Sequence, residues 1–178
     1  SYRSSIFKKS LRNKFIITEV VLQLSKTNHK ISKSYKSIND AMNKKKIQNP
    51  TIKDIASIVS EIRENKLPNP SLIGNSGSFF KNPIVTIELL NKLKKKFSKL
   101  VYFKESVSKY KLSAAWLIEN CGFKNIEEKN VGVYRNQALV IINLGNATGK
   151  EILLFSEKIK STVLEKFDIL LEEEVNII

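Results

Sequence analysis

The chain is poor in the residues that staple or metallate a small domain. Its 178 residues include one cysteine, Cys121, and one histidine, His29. A lone cysteine closes no intrachain disulfide and fits a reducing compartment. One cysteine and one histidine cannot supply a nitrogen and sulfur ligand set, so no metal site is expected. No apolar run reaches the roughly 18 residues that a membrane-spanning helix needs, so no membrane partner is expected. Arginine is also scarce, with Arg3, Arg12, Arg63 and Arg135 the only four. Base-edge readout favours arginine, and single-strand binders interleave aromatic with basic residues. Neither pattern occurs here.

Lysine is abundant. Thirty-one basic against 17 acidic side chains leave a formal charge of +14, while 42% of residues are hydrophobic, enough for a core. The charge admits a polyanionic partner such as nucleic acid, or lysines that only solvate the surface. The runs Lys44-Lys45-Lys46 and Lys94-Lys95-Lys96 carry no aromatic spacing, which favours the second reading. A basic nucleic-acid-binding module is kept as the competing function, and an inactive fragment as a third.

The β-branched run FIITEVVLQL, residues 15 to 24, predicts a strand. A short helix is expected around Ser37 to Met42. Thr51 with Asp54 predicts a helix start, and Ile52, Ile55, Val59 and Ile62 give it an apolar stripe to about residue 64. KLPNPSLIGNSG, residues 66 to 77, is the best candidate boundary between domains. Beyond it the pattern predicts a short strand at Phe79 to Lys81 and a helix over Thr86 to Phe97. Strands follow at Leu100 to Phe103 and Val107 to Lys111. A Ser113-capped helix is stopped by Gly122. Strands are expected at Val131 to Tyr134 and Ala138 to Asn143, and a helix opens on the Thr148/Glu151 capping box. Residues 169 to 175 are read as a closing strand or extended tail. Irregular alternation of helix and strand predicts an α+β fold.

The stretch GNSGSFFKNP, residues 74 to 83, is the least ordinary. It lacks the spacing of a phosphate loop, a nucleophile elbow or a dinucleotide fingerprint. Gly74 and Gly77 permit tight turning or close backbone approach to a ligand, and Ser78, Lys81 and Asn82 offer polar groups beside it. A plain interdomain loop would need the same glycines, so both readings stand on composition alone. The paired Phe79 and Phe80 place one ring on each face of a strand, so at least one is expected in the core.

This stretch resembles the signature of the UDP-N-acetylenolpyruvoylglucosamine reductase (UDP-N-acetylmuramate dehydrogenase) family. Further stretches match in the family's order: YRSSIFK at 2 to 8, IITEV at 16 to 20, KLPNP at 66 to 70, KLSAAWLIENCGFK at 111 to 124, NQALVIIN at 136 to 143 and LEEEV at 171 to 175. Members are about twice this length, and the chain opens on Ser1 rather than Met, so it is read as the C-terminal half of such an enzyme. The resemblance implies that residues 1 to 68 end a FAD-binding domain and 69 to 168 form a small α+β substrate-binding domain. Residues 169 to 178 then return to the FAD-binding domain.

The implied activity is reduction of the enolpyruvyl ether of UDP-N-acetylglucosamine enolpyruvate to UDP-N-acetylmuramate, in peptidoglycan precursor synthesis. FAD and NADPH are the implied cofactors. The implied setting is the bacterial cytoplasm, and the complete enzyme is expected to be a monomer. By motif position, Arg3 pairs with the substrate carboxylate, Ser78 donates a proton to C2, and Glu174 hydrogen-bonds the developing enolate. Lys66, Asn82, Lys124, Gln137 and Tyr35 match substrate-binding positions, and Arg63 matches an arginine near the flavin. Three departures stand out: Glu173 replaces the family's proline, Asn176 replaces the arginine after Glu-Val, and Phe103 falls nearest a family tyrosine. Lacking the phosphate-binding loops of the first half, the chain alone is expected to bind FAD weakly or not at all.

Overall fold

A computed structural model of the chain describes residues 5 to 29, 31 and 35 to 177. The chain forms two compact units, residues 1 to 54 and 55 to 178.

Among its described residues the first unit holds one 3-10 turn, Ile6–Lys8, and one helix, α1 (Lys36–Lys44), which buries Ile38 and Met42. The run at 15 to 24, expected as a strand, has no regular structure. Its apolar side chains are exposed, Ile16 at 91% and Val21 at 88%. β-propensity expresses how well a side chain fits a pleated, half-buried surface, and a strand also needs a neighbouring edge. No described residue pairs with this run. At the end of the unit, the Thr51 hydroxyl accepts from the Asp54 amide at 3.2 Å, and the Asp54 carboxylate accepts from the Thr51 amide at 2.7 Å. These bonds start α2 (Ile52–Lys66), and they hold the Asp54 carboxyl below its ordinary range. The helix's buried centre is Ile58, with Ile55, Val59 and Ile62 half-buried beside it, while Ile52 is exposed. The stripe expected from residue 52 is therefore set further round the helix.

The second unit is α+β, with two antiparallel sheets. The first contains β1 (Gly74–Ser78), β5 (Glu127–Glu128), β6 (Val131–Val133) and β7 (Val140–Asn143), in the order β1-β7-β6-β5. The second contains β2 (Ile84–Thr86), β3 (Tyr102–Lys104) and β4 (Lys109–Leu112), in the order β2-β4-β3. Besides most of α2, this unit carries α3 (Ile87–Lys96), α4 (Ala114–Asn120) and α5 (Gly149–Phe167).

Each of these helices starts where the sequence supplies an acceptor. Thr86 caps α3, Ser113 caps α4, and Thr148 with Glu151 makes a reciprocal capping box on α5. Gly122, at φ +84°, ends α4 in the left-handed region that glycine adopts without cost. One core cluster joins α3, α4 and α5 to the first sheet, through Leu90, Leu117, Ile118, Val131, Val133, Ile141, Phe155 and Ile159 among others. Phe79 and Phe80 are both buried within it.

Candidate functional site

The glycine stretch is itself a strand with a fault in it. Gly74 pairs with Asn143 and Asn75 with Ile142, yet Ser78 pairs with Val140. Three steps along β1 thus oppose two along β7, which is a β-bulge. Its cause is local. The Asn75 side chain donates to the Ile73 carbonyl at 2.9 Å and accepts from the Gly77 amide at 3.0 Å. Gly77 takes φ +71° to complete the turn.

The bulge decides where Ser78 points. In an uninterrupted strand, residues three apart face opposite ways. Here Asn75 and Ser78 lie opposite Ile142 and Val140, which share a face. Ile141, Val131 and Val133 belong to the core cluster beside α5, whereas Val140 and Ile142 are buried outside it. Ser78 therefore sits, half-buried, on the sheet face turned away from that core.

The C-terminal tail docks directly after Ser78. Phe80 and Glu173 form an antiparallel bridge. The Glu174 amide donates to the Phe79 carbonyl, and the Lys81 amide donates to the Glu172 carbonyl, both at 2.8 Å. Residue 174 thus lies opposite Phe79, one position from Ser78 although 96 positions from it in the chain.

The three consecutive acids have three different fates, and the tail is not a uniformly solvated acidic end. Glu172 pairs with Lys81 at the surface. Glu173 accepts from Lys160 of α5 at 2.7 Å, with both side chains mostly buried. Glu174 has its Oε2 atom screened from solvent. Burial pushes the Glu173 carboxyl up, but the Lys160 hydrogen bond and charge outweigh this and hold it below its ordinary value. The same bond raises the Lys160 ammonium.

Other expected residues gather at this end of the sheet. The Asn136 side chain donates to the Asn65 carbonyl at 2.8 Å, tying the β6–β7 loop to the end of α2. That bond brings Lys66, next to Asn65, to the loop that carries Gln137. Arg63 lies one turn before Lys66 on α2, and both are exposed. Gln137 is half-buried and its side-chain oxygen accepts from the Leu139 amide at 3.4 Å. The Phe79 amide donates to the Leu139 carbonyl at 2.7 Å, which joins this loop to the Ser78 segment.

Lys124 precedes Ile126, whose carbonyl accepts from Val133 at 2.8 Å. Ser78 and Ile126 are separated by three strand spacings, about 14 Å, so an extended ligand would be needed to touch both. Lys124 is paired with Glu119 at 3.0 Å. The Asn82 side-chain oxygen accepts from the Ala114 amide at 2.9 Å, so this residue also fastens the start of α4. Tyr35 precedes α1 in the first unit and is exposed. Arg3 lies outside the described residues.

Residues 69–178 match the family described as UDP-N-acetylenolpyruvoylglucosamine reductase, C-terminal domain. Across 99% of its length the chain is 48% identical to the UDP-N-acetylenolpyruvoylglucosamine reductase of Flavobacterium johnsoniae, covering 52% of that relative. It is 43% identical over its whole length to the reductase of Amoebophilus asiaticus, again covering 52% of it. The chain belongs to the UDP-N-acetylenolpyruvoylglucosamine reductase family. It spans about half the length of the curated relatives it matches. A solved reductase from Thermus caldophilus superposes on 70% of this chain and 33% of its own, at 20% identity and a TM-score of 0.42, too partial a match to place any residue.

Two departures from the reductase pattern acquire a physical description. Glu173, expected from the resemblance to stand where the family has proline, makes a charged contact to α5 that a proline ring could not make. Phe103 is 57% exposed on β3, and Tyr102 beside it lies under the Lys94 ammonium at 5.1 Å. Sequence reasoning missed Asn75, although an Asn two residues before a Gly is the signal for a side-chain-closed turn. It also missed Lys160, whose partner is distant in sequence and carries no local signal.

Proposed function

We propose that this chain provides the substrate-side half of a reductase that converts UDP-N-acetylglucosamine enolpyruvate to UDP-N-acetylmuramate. The observation that carries this reading is the docking of the tail on the glycine stretch. The 2.8 Å bond from the Glu174 amide to the Phe79 carbonyl fastens the backbone of residue 174 one position from Ser78, whose side the bulge has set.

The described residues contain no glycine-rich phosphate loop, and this chain alone is expected to bind FAD weakly or not at all. The exposed guanidinium of Arg63 suits the polar edge of such a group. FAD, reduced by NADPH, would supply the hydride. This chain's residues handle the charge and the proton. Hydride addition to C3 of an enol ether leaves negative charge shared between C2 and its carboxylate. A hydrogen bond from the Glu174 carboxyl would stabilise that charge where it develops. The Ser78 hydroxyl would then deliver the proton to C2. Arg3 would pair with the substrate carboxylate, a planar donor meeting a planar acceptor. Lys66, Gln137, Asn82 and Lys124 would hold the nucleotide diphosphate and sugar along the sheet end, and Tyr35 would close over the substrate.

Ser78→Ala, made in a complete polypeptide carrying these residues, tests the reading. Loss of a positioned proton donor is expected to lower kcat by about 100- to 10,000-fold with KM little changed. NADPH oxidation driven by the enol ether is the assay. An undiminished rate in a folded variant would refute the assignment. The nucleic-acid alternative finds no support among the similar proteins.

A further inference from the structure

We infer that the Lys160–Glu173 ion pair is a positioning device that fixes Glu174 at the reacting centre. The inference rests on the reductase reading for its functional part only. Between the buried Leu171 and the half-buried Val175, the tail joins one isolated bridge and no regular strand. Two main-chain bonds hold it there, Glu174 to Phe79 and Lys81 to Glu172. Such a short pairing is easily frayed, because a single bridge lacks the cooperativity of a ladder. The Lys81–Glu172 side chains add an exposed ion pair, and a mostly buried tie comes from α5. Lys160 lies on that 19-residue helix and reaches Glu173 at 2.7 Å. Its other carboxylate, Glu157, is 3.0 Å away and 53% exposed.

The geometry links residue 173 to residue 174. In an extended segment successive side chains point to opposite sides, so anchoring Glu173 toward α5 turns Glu174 the other way. A proline would limit the backbone at this position through its ring. Here a charge pair to a rigid helix constrains the backbone instead. Lys160 touches no reacting atom in this arrangement and acts through Glu173.

The test compares Lys160→Met, Lys160→Arg and the charge swap Lys160→Glu/Glu173→Lys, with Glu174→Gln as reference, in the complete reductase. Hydrogen exchange at the Glu174 and Lys81 amides reads the tail without reference to activity. Lys160→Met is expected to speed exchange at both amides about 10-fold or more while leaving the middle of α5 protected. Its kcat is expected to fall about 10- to 100-fold with KM unchanged, as for a misplaced catalytic group. Lys160→Arg and the swap are expected to restore both readouts. Unchanged exchange in Lys160→Met would overturn the strut. Faster exchange with a normal kcat, while Glu174→Gln is impaired, would overturn the positioning role. A normal kcat in Glu174→Gln would overturn the assignment of Glu174, and the role of the pair in catalysis with it.

Discussion

Gly77 is the residue on which the direction of Ser78 depends. Its φ of +71° lies in the left-handed region, and a methyl group added there would meet nothing within 4 Å. The cost of Gly77→Ala is therefore backbone strain rather than collision, about 1–2 kcal/mol. A drop of that size in unfolding free energy by urea titration is expected, and no drop would show that the turn does not need the conformation. At the same scale, Glu173 links stability to pH. Its carboxyl is depressed in the fold, so the unfolded chain takes up the proton first as pH falls. The stabilisation is complete above the ordinary glutamate value, about 4.3, and is lost as pH falls through the depressed value. Wild type should thus lead Glu173→Gln in urea midpoint at pH 7 and lose that lead in acid. A lead that persists undiminished at acid pH would contradict the pairing with Lys160.

At the scale of elements, what matters for the site is how strand ends and helix starts are fastened. Asn82 and Ser113 both serve the start of α4. Asn82 accepts from Ala114, and the Ser113 hydroxyl accepts from the Trp116 amide at 3.2 Å. Ser113→Ala removes one cap and should cost about 1 kcal/mol, visible as a lower unfolding free energy with an unchanged denaturant slope. A silent substitution would mean that Asn82 alone suffices. The Ser113 cap was legible from residue type and spacing, as were the box at Thr148/Glu151 and the stop at Gly122, whereas the bond from Ala114 to Asn82 was not. Nor was β1. A run of Gly, Asn and Ser has low strand propensity, and the partner β7 lies more than 60 residues away in sequence.

The whole molecule turns the second unit into a platform for its own tail. Phe167 closes α5 against Phe97 at 4.8 Å and Trp116 at 5.8 Å between ring centres, and it is 1% exposed. The chain then turns at Asp168, φ +60°, and buries Ile169 and Leu171 before reaching the glycine stretch. Phe167→Ala should destabilise the unit by about 3–5 kcal/mol through the cavity it leaves, measured by calorimetric or urea unfolding. A loss below 1 kcal/mol would mean that the aromatic cluster does not hold the helix end.

The sequence alone determined the helices of the second unit and the family to which the chain belongs, and its motifs suggested the serine and glutamate proposed for the chemistry. Helix stripes, caps and motifs are written in neighbouring residues, so they can be read without knowing what lies across the fold. Only the tertiary structure decided that Ser78 faces away from the core, that residues 172 to 174 part company, and that Lys160 reaches Glu173. It also left residues 15 to 24 without the strand that their β-branched side chains suggest. Each of these depends on which distant backbone supplies a partner, and pairing at long range leaves no periodic trace in the chain.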